Sequence, residues 1–364
     1  MVPPTMQVLG ATHFGAATEI LSFHSVPVPK CTPMDVLVRM VFSDANPVDL
    51  QKLSGGPAQG QQVPISPFVP GFGGSGTIIE VGTDSLLADW VGKRVAFLGD
   101  PARSGSYAEY VAVDYRCVAE IPDNVGFRQA AAIAVSGCTA FESLMKLGLG
   151  PEDSIKSHAK KCKYNLLIVG GSGGVGSWAT RLARCWHPEL HIIATASRPE
   201  SSSWCIENGA NTVIGHRQIT ERLGGGPAGS VDYILCLTEP TPPVFKAITE
   251  AVRPFGSICL VVAGRSIQSV DLGFCFFKGA TIVNETVFAS IRTHFQSSTQ
   301  PGAEISEILD LLSRQKVQAP LSPALDTMDF DWKSALRSNG VLETLSTEHT
   351  CGKLVLKIAS ETSH

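Results

Sequence analysis

The sequence predicts an α/β protein of two domains, a β-rich domain followed by a doubly wound parallel sheet. Three observations lead there. The chain has 364 residues, more than a single hydrophobic core usually serves. Its first 135 or so residues carry short apolar runs punctuated by Gly and Pro. From Asn165 onward, fully apolar runs alternate with stretches of helical periodicity.

The elements follow in order. Val36–Phe42, Gly76–Val81, Arg94–Leu98 and Ala108–Val113 read as strands, and strands of this length with turns between them suggest a barrel or sandwich. Ser54–Gly71, rich in Gly, Pro and Gln, reads as a surface loop. Ala130–Gly137 and Ala140–Leu147 read as helix. Leu166–Val169 is an apolar strand, Val175–Trp186 a helix, Ile192–Thr195 the next strand, and Ser201–Asn208 a short helix closed by Gly209. Val213–Ile214, Tyr233–Leu237 and Ile258–Val262 continue the strands. Alternation of this kind implies a parallel sheet covered on both faces. Glu304–Lys316 reads as an amphipathic helix and Leu354–Ile358 as a final strand.

Composition excludes several classes. Net charge is −4, with 17% charged residues, and no basic stripe marks a nucleic-acid partner. The basic patch His158–Lys163 reads as a solvated loop. No apolar run reaches the roughly 18–20 residues of a membrane span, and Met1–Met6 lacks the pattern of a secretory signal, so a cytoplasmic protein is expected. The ten cysteines contain no CxxC spacing. His187 and His191 stand four apart with Pro188 between them, and both read as surface residues.

The strongest signal is Gly171-x-Gly173-x-x-Gly176, directly after a strand and opening a helix. The first Gly makes the turn, the second admits a pyrophosphate to the backbone, and the third lets helix pack on strand. The helix N-terminus then offers N–H groups to phosphate. The same residues fit a nucleophile elbow, Gly170-x-Ser172-x-Gly174, so a serine hydrolase using Ser172 stays open as an alternative. A glycine-rich turn without a ligand is another. At the end of the second strand, Ser197-Arg198 stands where NAD-binding chains carry an acid. A guanidinium pairs with a 2′-phosphate, so NADPH is expected over NADH, with Glu200 the dissenting residue. No metal-ligand constellation is found. Without a Lewis acid the substrate must accept hydride readily, as quinones and C=C bonds conjugated to a carbonyl do.

Asn46-Pro47-Val48-Asp49, Gly92–Val95, Ser104–Tyr110, Ala194–Glu200, Asp232–Thr238 and Gly352–Leu356, taken with the glycine loop, resemble the medium-chain dehydrogenase/reductase superfamily. The chain looks most like its zinc-free quinone oxidoreductase branch, and within it the "zinc-type alcohol dehydrogenase-like" proteins. The resemblance implies a Rossmann domain (136–290) inserted in a GroES-like β-barrel catalytic domain (1–135 and 291–364). The family's zinc ligands would fall near Asn46 and Phe72-Gly73, where no Cys, His or Glu stands. By the same carry-over, Asn46 and Thr139 line the nicotinamide and substrate site. Ser172, Gly173, Gly174 and Val175 face the pyrophosphate. Ser197 and Arg198 face the 2′-phosphate, and His216 the adenosine ribose. Leu237, Thr238, Val262, Ala263, Val287 and Phe288 line the nicotinamide side, and Lys353 lies nearby. Asn46 as turn chemistry, Thr139 as a helix cap, Arg198 as a solvated loop residue, His216 as an exposed loop residue and Phe288 as core remain the plain alternatives. Gln51, Leu53 and Gly73 depart from the family pattern.

The expectation is an NADPH-dependent enone or quinone reductase acting on a small apolar substrate. It would form a homodimer through Phe276–Phe288, read as an edge strand. A catalytically silent NADPH-binding sensor or scaffold is the main alternative.

Overall fold

The computed structural model describes residues 2–55, 61–64, 66–151, 164–224, 228–262, 264–293, 300–328, 330–347 and 350–360. The basic patch His158–Lys163 and the candidate Ala263 lie outside them. The chain divides into two units, Met1–Cys138 with Phe288–His364, and Thr139–Val287.

The first unit is antiparallel. Its strands are β1 (Thr5–Gly10), β2 (Ser22–Pro27), β3 (Asp35–Ala45), β4 (Gly73–Val81), β5 (Arg94–Leu98), β6 (Tyr110–Asp114), β7 (Val118–Glu120) and, from the far end of the chain, β14 (Leu354–Lys357). β1 pairs with β2, and the larger sheet runs β14-β3-β4-β5-β7 with β6 also on β3. One edge of β3 meets β4. The other is shared, with Asp35–Arg39 pairing with β6 and Phe42–Ala45 with β14. Flanked this way, β3 is buried along nearly its whole length, including the charged residue Asp44.

Helix α1 (Pro47–Ser54) follows β3 without a loop. Pro47 suits the first turn because its missing N–H has no intrahelical partner there. Asp49 reaches back to accept the Asn46 N–H at 2.7 Å, satisfying a donor the helix start leaves free. Two further helices, α2 (Phe127–Ala131) and α3 (Ala134–Lys146), lead to the second unit.

That unit is a parallel sheet of β8 (Asn165–Val169), β9 (His191–Thr195), β10 (Thr212–Ile214), β11 (Val231–Cys236), β12 (Val252–Leu260) and β13 (Thr281–Asn284). The order is β10-β9-β8-β11-β12-β13, and every pair is parallel. This is the Rossmann order, which reverses between β8 and β11. Its helices include α4 (Gly174–Trp186), α5 (Pro199–Glu207), α6 (Pro242–Ala251) and α7 (Gly273–Lys278). Leu167, Val169, Ile193, Ile234 and Ile258 of the strands pack with Phe245 and Ile248 of α6 in one buried cluster.

Two sequence expectations are corrected. Phe276–Lys278 is helical, and the edge strand is only Thr281–Asn284. Gly279, at φ +58°, closes the helix, and Lys278 Nζ donates to the carbonyls of Thr249, Glu250 and Val252 at 2.7–2.9 Å. That anchor at the end of α6 overrides the strand-like composition. His187 is buried and not at the surface, because its Nε2 lies 3.1 Å from the carbonyl oxygens of both Leu149 and Gly150.

Candidate functional site

The glycine loop sits at the switch point. Gly170 takes φ +85°, a conformation that strains other residues, and a Cβ there would meet Thr238 Cγ2 at 3.2 Å. The predicted residues Leu237 and Thr238 therefore lie beside the turn, and the Leu237 N–H extends the ladder to Val169 O at 3.0 Å. A Cβ on Gly176 would stand 2.6 Å from Gly171 O, so α4 starts hard against the loop. At Gly173 a Cβ would meet only Gly170 O, at 3.8 Å, which leaves the backbone open to a ligand. Ser172, Gly173, Gly174 and Val175 are half-buried there. This open cradle at a helix N-terminus fits a dinucleotide pyrophosphate.

Ser197 is exposed and Arg198 half-buried at the start of α5, directly after β9. His216 is exposed as a residue, but its Nδ1 lies 2.7 Å from Thr195 Oγ1, and partial burial of the ring pulls its pKa below the usual value. Thr195 Oγ1 also accepts the Gly170 N–H at 2.9 Å. The histidine on this side of the sheet thus contacts the end of β9. Val262 is half-buried and Val287 buried. Thr139 lies buried inside α3, so it does not cap that helix.

The first unit holds a second set of predicted residues. The pairing of Leu354 with Ala45 places Lys353 opposite Asn46, 307 residues away in sequence. Lys353 Nζ lies 2.5 Å from Asp44 Oδ1, 2.6 Å from Asn46 Oδ1 and 3.0 Å from Ala45 O. Ser136 Oγ donates to the same Asn46 oxygen at 3.2 Å, and Asp44 Oδ2 accepts the Val135 N–H at 3.0 Å. All of these side chains are buried. Asn46 Nδ2 has no hydrogen-bond partner. Below it, Asp49 Oδ2 takes the Asn46 N–H and the Tyr107 hydroxyl (3.0 Å), while Oδ1 has no partner. Burial pushes the Asp49 carboxyl up to about 7 and the Tyr107 hydroxyl well above its usual value.

Phe288 belongs to this unit, its ring edge-on to Phe72 at 5.6 Å. Gly73 has a steric cause, since a Cβ would collide with Ala134, so no acid fits there. A cavity of about 230 Å³, between Phe14, Lys52, Phe68 and Arg103, includes none of the predicted residues. Among the described residues no group of three His, Cys, Asp or Glu could hold a metal ion, and no helix is long and apolar enough to cross a membrane.

Sequence reasoning missed Asp44, Thr195, Tyr107 and Ser136. Asp44 carried a usable signal, as a carboxylate next to a run that reads as a buried strand. The others are ordinary polar residues whose partners only folding supplies.

Comparison with known proteins agrees with this architecture. Residues 32–123 match the alcohol dehydrogenase GroES-like domain. A zinc-type alcohol dehydrogenase-like protein of Staphylococcus epidermidis is 30% identical over 335 residues, 91% of this chain and 93% of that one. The human quinone oxidoreductase is 29% identical over 320 residues, 85% and 90% of the two chains. Among solved structures, the quinone oxidoreductase of Coxiella burnetii superposes with a TM-score of 0.77 at 21% identity, covering 98% and 100%. That of Escherichia coli, complexed with NADPH, gives 0.75 at 19%, covering 97% and 100%. The chain belongs to the medium-chain dehydrogenase/reductase superfamily, with a Rossmann sheet and a GroES-like antiparallel domain.

Proposed function

We propose that the protein is a zinc-independent, NADPH-dependent reductase of a quinone or an α,β-unsaturated carbonyl. The observation that carries this reading is the open glycine cradle at the switch point of the sheet, with Ser197 and Arg198 rather than an acid after β9. The complex of the Escherichia coli relative with NADPH supports it.

Bound NADPH supplies a hydride. Ser172, Gly173, Gly174 and Val175 hold the pyrophosphate through backbone N–H groups and the α4 dipole. Ser197 and Arg198 hold the 2′-phosphate, and His216 the ribose. Leu237, Thr238, Val262 and Val287 position the nicotinamide. Asn46 Nδ2 donates to the substrate oxygen on which enolate charge develops, a role in which a preorganised donor is worth more than in water. Solvent returns the proton. Zinc independence rests on Asn46, Phe72 and Gly73 standing where the family's ligands fall. A second copy pairs along β13, which is the sheet's last strand and lies next in sequence to the exposed Phe276 and Phe277.

Calorimetric titration with NADPH and NADH, followed by NADPH oxidation against a panel of enones and quinones, tests the reading. Preferred NADPH binding with turnover supports it. Binding without turnover of any acceptor would favour the silent sensor. Binding of neither cofactor would remove the oxidoreductase reading.

A further inference from the structure

Asn46 presents its amide in one orientation, and the reason lies behind it. Two donors, Lys353 Nζ at 2.6 Å and Ser136 Oγ at 3.2 Å, converge on Oδ1. Flipping the amide would set its NH₂ against an ammonium, so Nδ2 remains the free donor. Lys353 is itself held. Three acceptors surround its Nζ, and the only carboxylate among them is Asp44, whose other oxygen is tied to the Val135 N–H. Lys353 and Asp44 are 3% and 0% exposed, so each charge depends on the other. The split edge of β3 creates this arrangement, because β14 joins β3 only over its last residues and delivers Lys353 there.

We propose that Asp44 is a positioning residue: through Lys353 it fixes the Asn46 amide with Nδ2 as the donor, and so selects a ligand that presents a hydrogen-bond acceptor, such as a carbonyl oxygen. A buried, unpartnered amide donor is costly unless a ligand uses it, which gives the arrangement its purpose. The inference deepens the reductase reading and rests on it for its turnover arm alone.

The test compares the wild type with Asp44→Asn/Lys353→Met, which removes both buried charges together and leaves no unpaired ion. The Asn46 side-chain amide resonances, assigned by their loss in Asn46→Asp, are followed by ¹⁵N NMR, with thermal stability and turnover beside them. The wild type should show one amide pair protected from solvent exchange. The double variant should stay folded while that pair shifts or doubles and exchanges faster. Its kcat/KM for enone or quinone should fall roughly 100-fold, the cost of a misplaced contact. Asp44→Asn/Lys353→Gln, in which a neutral amide can still donate to Asn46 Oδ1, should recover part of both signals and guards against a folding failure of the first variant. Unchanged amide resonances in a folded Asp44→Asn/Lys353→Met, or no recovery of them in a folded Asp44→Asn/Lys353→Gln, would overturn the proposal whether or not the protein turns over any acceptor. Full turnover in a folded Asp44→Asn/Lys353→Met would also overturn it. If the wild type reduces nothing, the reductase reading fails, while the amide resonances still decide the positioning role.

Discussion

Thr195 Oγ1 stands 2.7 Å from His216 Nδ1. The same oxygen accepts the Gly170 N–H at 2.9 Å, so its own proton is available for the imidazole. When that proton is donated to Nδ1, His216 is neutral and carries its own proton on Nε2. This neutral form matches the direction in which partial burial moves the ring's pKa, below the usual value. A threonine at the end of β9 thereby ties the first turn of the glycine loop to the histidine beyond β10.

Replacing that threonine therefore reaches the cofactor loop. Thr195→Val keeps the shape but strands the Gly170 N–H, at a cost of about 1–3 kcal/mol. Chemical denaturation should show the loss, and NADPH affinity should weaken with it. Stability within a few tenths of a kcal/mol of wild type would mean the Gly170 N–H is satisfied some other way.

Arg198 sets the choice of cofactor in the proposed reading. Arg198→Ala should weaken NADPH by about 1.5–3 kcal/mol, the range for a charge-assisted hydrogen bond, and leave NADH almost unchanged. Calorimetry with both nucleotides reads this directly. An equal loss for the two would remove the 2′-phosphate from the account.

Asp49 gives the first unit a pH dependence of predictable sign. Its carboxyl moves from the usual 3.8 up to about 7 because it is desolvated. An acid with a raised native pKa holds its proton more tightly when folded. It makes no difference below about pH 4, where both states are protonated. Its contribution then turns unfavourable as pH rises through the window up to about 7. The swing is at most on the order of 4 kcal/mol. Asp49→Asn mimics the protonated form, so it should gain on the wild type in urea denaturation as pH goes from 4 to 8. A difference that does not vary with pH would show that Asp49 is ionised throughout.

Lys278 closes α6 from outside the helix. Its ammonium satisfies three carbonyls at a point where the helix dipole favours a cation. Lys278→Met should cost about 2–3 kcal/mol and raise hydrogen exchange at the C-terminal turn of α6. Stability like that of wild type would reduce the lysine to a bystander.

The second unit was the more legible in sequence. Leu166–Val169 and Ile192–Thr195 are found within one residue of their predicted bounds, as is Arg94–Leu98 of the first unit, because short apolar runs closed by turns have few alternatives. Phe276–Lys278 was misread because a contact 28 residues away, from Lys278 to the carbonyl of Glu250, decides its conformation. His187 was misread for the same reason, since its partners at Leu149 and Gly150 are distant in sequence.

A family resemblance singled out Asn46 and Lys353, and by itself the sequence determined the βαβ rhythm, the glycine loop and Arg198 as a residue to watch. Those signals are local, carried by periodicity and by spacings of a few residues. Only the tertiary structure decided what the residues do to one another. Lys353 meets Asn46 because β14 returns to the end of β3, and Asp44 meets Lys353 in the same register. Thr195 gains its role because β8, β9 and β10 are neighbours in one sheet. Pairing register and burial arise only when distant segments pack, and a linear pattern carries no record of either.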